Sequence, residues 1–454
     1  MQLIWARTAL LADGWANDVL IAIDSDGRIG TVTVDTEAQG EQVGILLSAP
    51  ANVHSHGFQR AMAGLTEQRS PDPKDNFWTW RQLMYRFLDQ LTPDHIEAIA
   101  AMVQMEMLEA GYAANAEFHY LHHQADGTPY DNPAEMAERI AAAAELTGIG
   151  LTLLPVHYEF GGCDHRPLGQ GQIRFGNDFD AFVRLHEASR RAIASLPDDT
   201  VLGTAPHSLR AVAVSDIARH QQLSPNAPVH MHLAEQVGEV DECVAYLGCR
   251  PVEWVLANMG LNSRHCFIHC TQMLPHEIKG LARSGAIAGL CPSTEANLGD
   301  GIFDAVRWFE NGGAMGLGSD ANIRISLAEE LRLLEYSQRF RDRGRAVLGT
   351  ERLSTGRRLW DAAATGGASA TGRHSGVIAR GYLADLVALD DSHPDLCGRA
   401  GDVLIDSFAF AGDSRMVRDV WSAGRHLVQG SRHIQRDGIV RRYVQTVRDL
   451  KALT

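Results

Sequence analysis

Residues 44–56 read GILLSAPANVHSH. An apolar run closes on two histidines one residue apart. Alternate side chains on a β-strand share a face, so His54 and His56 can present two imidazoles to one point. They form half of a metal site if further ligands come from elsewhere in the chain, and are ordinary surface or core histidines if they do not. Seven more short apolar runs end in the same way, on polar groups: ANAEFHY (114–120), GIGLTLLPVHY (148–158), TVLGTAPHSL (200–209), APVHMHLAE (227–235), HCFIHC (265–270), AIAGLCPSTEANLG (286–299) and AMGLGSDANI (314–323). Longer helical patterns separate them, such as SLAEELRLLEYSQRF (326–340), which opens with Ser326 and Glu329 in capping-box spacing and carries Leu327, Leu331 and Leu334 on one stripe. Strands alternating with helices predict repeated βα units on a parallel sheet, and eight strands are what a (β/α)8 TIM-like barrel needs.

Both chain ends read differently. DVLIAIDSDGRIGTVTV (18–34) carries an Asp-Gly turn between β-like runs, and ADLVALD (384–390), DVLIDSFAF (402–410) and MVRDVWSAGRHLVQGSRHI (416–434) look like strands around glycine turns. The expected organisation is an α/β protein in which residues 46–375 form the barrel. Residues 1–45 and 376–454 then join in a small β-sandwich domain made from both chain ends. At 454 residues the chain has the length for this arrangement.

Composition narrows the partners. The formal net charge of −15, with no basic stretch, argues against nucleic acid. Neither a signal-type leader nor an apolar stretch of membrane-spanning length is visible, so a cytoplasmic protein without membrane contact is expected. The seven cysteines are scattered without a CxxC pair, which suits reduced thiols better than a disulfide framework or a cysteine metal site. Any metal must then be held by histidine and carboxylate.

Active groups of a barrel enzyme sit at the C-terminal strand ends. In chain order those ends supply His54 and His56; Glu117, His119 and Tyr120; His157; His207 and Arg210; His230, His232 and Glu235; His269; Glu295 and Asn297; Ser319 and Asp320. Polar groups at so many strand ends are hard to explain as packing, because buried polar atoms need partners. They suggest one divalent metal, with zinc the leading candidate, held by His54, His56, His232 and Asp320 with a position left for water. His269 would accept a proton from that water, and Glu235 would carry it to the leaving group. On spacing alone His230 is as good a ligand as His232, since the two share a face.

The motifs HSH (54–56), HMHLAEQ (230–236), IHC (268–270) and GLGSDANI (316–323), in this order, resemble the amidohydrolase superfamily over nearly the whole chain. The branch with a single metal is the better match, because no barrel-strand lysine suited to carbamylation is present. The resemblance implies His54, His56, His232 and Asp320 as metal ligands and His269, Glu235 and Asp320 as the catalytic groups. HSHGFQRAMAGL (54–65), FWTWRQLMYRF (77–87), AEFHYLHH (116–123), HSLRAV (207–212), HLAEQVGEVDEC (232–243) and LCPSTEANLGDGIF (290–303) are further similar to the N-formimino-L-glutamate deiminase family. That similarity implies hydrolysis of a small dianionic amino-acid derivative to N-formyl-L-glutamate and ammonia, as in histidine degradation, with a homodimer expected. It also implies that Gln59, Arg81, Tyr120, His207 and Arg210 hold the two substrate carboxylates, which suits arginine's bidentate donors. Two positions depart from the pattern: no Pro-Gly pair precedes His54, and Thr271-Gln272 stands where the family often has Thr-His. A nucleobase or nucleoside deaminase of the same superfamily is the enzymatic alternative, and would want a pocket lined for a flat ring. A barrel kept only as a scaffold is the other, and such a protein would be expected to have lost ligands.

Overall fold

The computed structural model describes residues 2–68 and 76–451. Its centre is a closed barrel of parallel strands: Ala51–Ser55, Ala114–His119, Gly150–His157, the broken pair Val201–Leu202 and Ala205–Pro206, Val229–Leu233, His265–His269, Ile287–Leu290 and Ala314–Leu317. The eighth strand returns to the first through Leu317 opposite Asn52 and a bridge between Asp320 and Ser55. Thr204 bridges to Val229 and closes the gap beside the short fourth strand. Helices surround the barrel and cover its apolar outer face, as a parallel sheet requires.

The second sheet has eight strands and draws on both chain ends, from Gln2–Leu11 to Glu41–Ser48 and from Leu386–Leu389 to Arg432–His433. It is antiparallel except where Gln2–Leu11 runs parallel to Glu41–Ser48. Ile4, Val19, Ile21, Leu46, Leu386 and Trp421 form its own apolar core. A buried ion network ties this sheet to the barrel. The Arg373 guanidinium donates to Asp385 at 2.9 Å and to Asp199 at 2.9 Å, and Arg425 donates to both Asp199 carboxylate oxygens at 2.7 and 2.8 Å.

Three local readings of the sequence change in the structure. The run 44–56 is two strands, not one: Glu41–Ser48 belongs to the end sheet and Ala51–Ser55 to the barrel, with Pro50 between them. Proline has no N–H for a ladder, so a change of sheet falls there naturally. DVLIDSFAF is the helix Asp402–Phe410, and its buried Leu404, Ile405, Phe408 and Ala409 recur at helical rather than strand spacing. In AIAGLCPSTEANLG only Ile287–Leu290 is strand; Pro292–Leu298 is a helix with Pro at its start, where a missing N–H is harmless. The capping box at Ser326 is half formed. Its hydroxyl accepts from the Glu329 N–H at 3.3 Å, while the Glu329 carboxylate pairs with Arg324 at 2.8 Å. Leu327, Leu331 and Leu334 are all buried as their stripe predicts.

Gly318 decides how the eighth strand meets the first. A Cβ there would lie 2.8 Å from the His54 carbonyl oxygen and 2.9 Å from its Cβ. With glycine in place, the N–H groups of Ser319 and Asp320 donate to the His54 carbonyl at 3.1 and 2.9 Å, and the His56 N–H donates to Asp320 at 3.0 Å. Asn52 and Asn322 complete the seam: Asn52 donates to Ser319 Oγ at 2.7 Å, Ser319 Oγ donates to Asn322 Oδ1 at 2.6 Å, and Asn322 donates to Ser55 Oγ at 3.1 Å. The histidine pair and Asp320 are thereby fixed against each other by backbone bonds.

Candidate active site

A cavity opens over the C-terminal ends of the barrel strands. Its lining includes His56, His232, His269 and Asp320 at the base and Gln59, Arg81, Tyr120, His207, Arg210 and Glu235 on the walls. His54 lies beneath the base, fully buried. Every residue singled out from the sequence for metal binding, catalysis or substrate contact therefore meets in one place. Several other strand-end groups do not. His230 turns away and bonds the Ala370 carbonyl at 2.7 Å, so of the two histidines in HMH only His232 joins the cluster. His157 pairs with His220 at 3.0 Å behind the barrel, and the Asn297 amide reaches Glu67 on the surface. Glu117 accepts the Gly57 N–H at 2.6 Å and supports the turn after the histidine pair.

At the base, His54 Nε2 is 3.1 Å from His232 Nε2. Asp320 Oδ1 is 3.6 Å from His54 Nε2 and 3.4 Å from His56 Nε2. His56 and His232 place Nδ1 against the carbonyl oxygens of Phe118 and His207 at 2.9 and 3.2 Å. Each Nδ1 therefore carries the proton and each Nε2 presents a lone pair. Burial, reinforced by the neighbouring imidazoles, lowers His54 and His232 well below their usual range, and burial takes His56 down to about 3. Neutral lone pairs converging at such distances repel unless a cation lies between them. Ligand-to-ligand edges of a tetrahedral site with bonds of about 2.1 Å are about 3.4 Å, so this nitrogen and oxygen set fits a divalent metal. Burial raises the Asp320 carboxyl to about 7 against the pull of His269, and a cation on it would reverse that shift.

His269 is bracketed by carboxylates. Its Nε2 is 3.7 Å from both Asp320 Oδ2 and Glu235 Oε1, and its Nδ1 is 3.3 Å from Glu295 Oε1. Burial opposes its protonation, but Glu235, Glu295 and Asp320 together lift it well above the usual histidine range. Burial also raises Glu235, with His269 and Arg210 pulling the other way. Ala234, His269, Cys270, Asp320 and Asn322 all have positive φ without being glycine, so backbone strain is concentrated at the ends of the fifth, sixth and eighth strands.

Two buried glutamates have structural roles that the strand-end pattern does not reveal. Glu239 accepts the N–H groups of Ala234 at 3.1 Å and Glu235 at 2.9 Å and so holds the strained turn that carries Glu235. Glu295, noted at a strand end without a role, holds Nδ1 of His269. Its position at the fourth residue of the helix Pro292–Leu298, just past a barrel strand, was the available signal.

On the walls, Arg210 is 7% exposed, with Nη2 3.9 Å from Glu235 Oε2 and 4.0 Å from Glu239 Oε2. Arg81 comes from the helix Phe77–Leu88; its Nε donates to the Tyr85 hydroxyl and its Nη2 to the Tyr158 hydroxyl at 2.9 Å. Gln59 donates to the Tyr120 hydroxyl at 2.9 Å. Burial, then Arg210 and Arg81, keep His207 neutral. A base cluster suited to one metal, two proton-carrying groups beside it and two guanidiniums above it can bind a dianion and hydrolyse it.

Residues 45–427 match the amidohydrolase family, and residues 1–42 match the N-terminal domain of formimidoylglutamate deiminase HutF. The chain is 46% identical over 99% of its length, and over all of the relative's, to a Pseudomonas aeruginosa protein named formimidoylglutamate deiminase. It is 26% identical to an 8-oxoguanine deaminase from the same organism, covering 85% of this chain and 84% of that one. A crystal structure of an amidohydrolase from Brucella melitensis superposes with a TM-score of 0.95 at 46% identity, covering 99% of this chain and all of that one. An adenosine deaminase from Xanthomonas campestris with bound zinc shares the fold, with a TM-score of 0.82 at 20% identity over 99% of this chain and 98% of that one.

Proposed function

Since the chain belongs to the amidohydrolase family, we propose that it hydrolyses N-formimino-L-glutamate to N-formyl-L-glutamate and ammonia, a step of histidine degradation. The observation that carries this reading is the pair Arg81 and Arg210 in the cavity that also holds the histidine and aspartate cluster. A flat nucleobase has no use for two guanidiniums lining its cavity, whereas a dicarboxylic acid matches them.

His54, His56, His232 and Asp320 would hold one divalent metal, zinc by this reading, which when bound supplies a water nucleophile at neutral pH and polarises the formimino carbon. Arg81, Arg210, His207, Tyr120 and Gln59 bind the two carboxylates and place that carbon over the cluster. A cation on the cluster would offset the carboxylates that favour a protonated His269, leaving it, with Asp320, to receive the proton from the attacking water. Glu235, 3.7 Å from His269 and held by Glu239, binds the imino nitrogen and delivers the proton with which ammonia leaves. One water is consumed: the C=N bond is replaced by C=O, and both protons of that water end on the nitrogen that leaves as ammonia, handed on through His269 and Glu235. Glu295 sets His269 with Nδ1 protonated and Nε2 turned to the reaction.

The same reading takes residues 46–375 as the hydrolase barrel, residues 1–45 and 376–454 as the joint end domain, and the active form as a cytoplasmic homodimer. Among the described residues no helix is long and apolar enough to cross a membrane. The test is ammonia release by zinc-loaded protein from N-formimino-L-glutamate, with 8-oxoguanine, adenosine and cytosine alongside. Turnover of the formimino acid alone supports the reading; turnover of a base instead would replace it.

A further inference from the structure

Tyr158 follows directly on the third barrel strand, lines the cavity beside Arg81 and His207, and is buried. Its hydroxyl oxygen is the acceptor in two hydrogen bonds, from Arg81 Nη2 at 2.9 Å and from Gln172 Nε2 at 2.7 Å. Both partners can only donate. A guanidinium has no acceptor, and the Gln172 amide is oriented by its oxygen, which accepts the Gly169 N–H at 3.0 Å. A phenol has two acceptor positions and one proton to give. With both acceptor positions taken, the proton is what remains, and among the described residues no acceptor faces it.

We infer that Tyr158 is a further substrate-binding residue, whose hydroxyl donates to the same ligand carboxylate that Arg81 pairs with. This rests on the dicarboxylate reading of the cavity. Because Arg81 Nη2 and the Tyr158 oxygen are 2.9 Å apart, one carboxylate oxygen can sit against both. Gln172 takes part without touching the ligand: by filling the second acceptor position it stops the hydroxyl from turning its proton inward. The arrangement selects for an acceptor. A carboxylate is bound by a cation and by a hydroxyl proton together, whereas a ligand offering an N–H at that position would meet only donors. The ring itself is held independently, 4.5 Å from the His207 ring and 5.5 Å from that of Phe175, centroid to centroid.

The experiment compares wild type with Tyr158→Phe, which keeps the ring and removes only the hydroxyl. Calorimetry would measure the Kd of glutarate, a plain five-carbon dicarboxylate that has no formimino group. Kinetics with N-formimino-L-glutamate and a melting curve would accompany it. A hydrogen bond to a charged group in a buried site predicts that glutarate Kd rises about tenfold or more. KM should rise with it while kcat changes less, and the melting temperature should stay near that of wild type. A glutarate Kd within twofold of wild type overturns the inference. Wild type that binds glutarate but leaves the formimino acid intact overturns the proposed reaction while the Tyr158 comparison still decides this one. Wild type that binds no dicarboxylate overturns both.

Discussion

Replacing Arg210 with methionine should separate substrate recognition from the hydrolytic machinery. Methionine is unbranched and can fill much of the space the arginine stem occupies, so packing changes little. The guanidinium is 7% exposed, its nearest carboxylates stand at 3.9 and 4.0 Å, and its Nε has no partner among the described residues, so its donors are free for a ligand. A bidentate pair with a carboxylate in such a site is two charge-assisted hydrogen bonds, together about 3–5 kcal/mol. At 1.36 kcal/mol per decade this predicts a fall in kcat/KM of roughly 10²- to nearly 10⁴-fold. The assay is ammonia release over a range of concentrations from N-formimino-L-glutamate and from N-formimino-4-aminobutyrate, which lacks one carboxylate. Loss should be large for the dianion, and Arg210→Lys should recover part of it; an equal loss on the monoanion would place Arg210 at the carboxylate the two compounds share, a smaller loss at the one it lacks. A kcat/KM for the dianion within threefold of wild type would refute the carboxylate assignment.

Glu295→Gln should lower kcat about 10- to 100-fold with KM little changed, because an amide can donate to His269 Nδ1 and turn the reactive Nε2 into a donor; a kcat within threefold of wild type counts against that role. Asp199 supplies a pH test. Burial would raise its carboxyl, but Arg425 and Arg373 outweigh burial and take it from 3.8 to about 2. A lowered carboxylate pKa stabilises the fold above the unfolded value, and the gain is lost as pH falls toward the folded one. Wild type should therefore lose about 2 kcal/mol relative to Asp199→Asn between pH 5 and pH 2 in urea unfolding, and a constant gap would exclude the effect. Chelated protein should melt several degrees below zinc-loaded protein, since a cation relieves the repulsion between Nε2 atoms 3.1 Å apart; Asp320→Asn should shrink that difference and abolish turnover. Equal melting with and without zinc would contradict the metal reading.

The two sheets and the contents of the site could be read from the chain because their signals are local. Strand periodicity and the placing of polar residues at strand ends follow from neighbours a few positions apart. Where local patterns are shared by two structures, the reading failed. DVLIDSFAF suits a buried strand as well as a helix, and the choice came from packing of Leu404, Ile405 and Phe408. The run 44–56 gives no sign that Ile45–Leu47 faces one sheet and Val53–His54 another, since all are apolar approaches to the same motif.

Residue types and their spacing along the chain name the groups that could do the chemistry: a pair of histidines on one strand face, a third on another, carboxylates at further strand ends, and arginines outside them. The tertiary structure decided which of these meet. His230 and His232 share a face in sequence, yet one bonds the Ala370 carbonyl and the other stands 3.1 Å from His54. Tyr158, Glu239 and Glu295 acquire roles only from partners that lie between 4 and 77 positions away. Alternation along a strand fixes the direction of a side chain, but barrel closure sets its depth, and that depends on bonds between strands far apart in the chain.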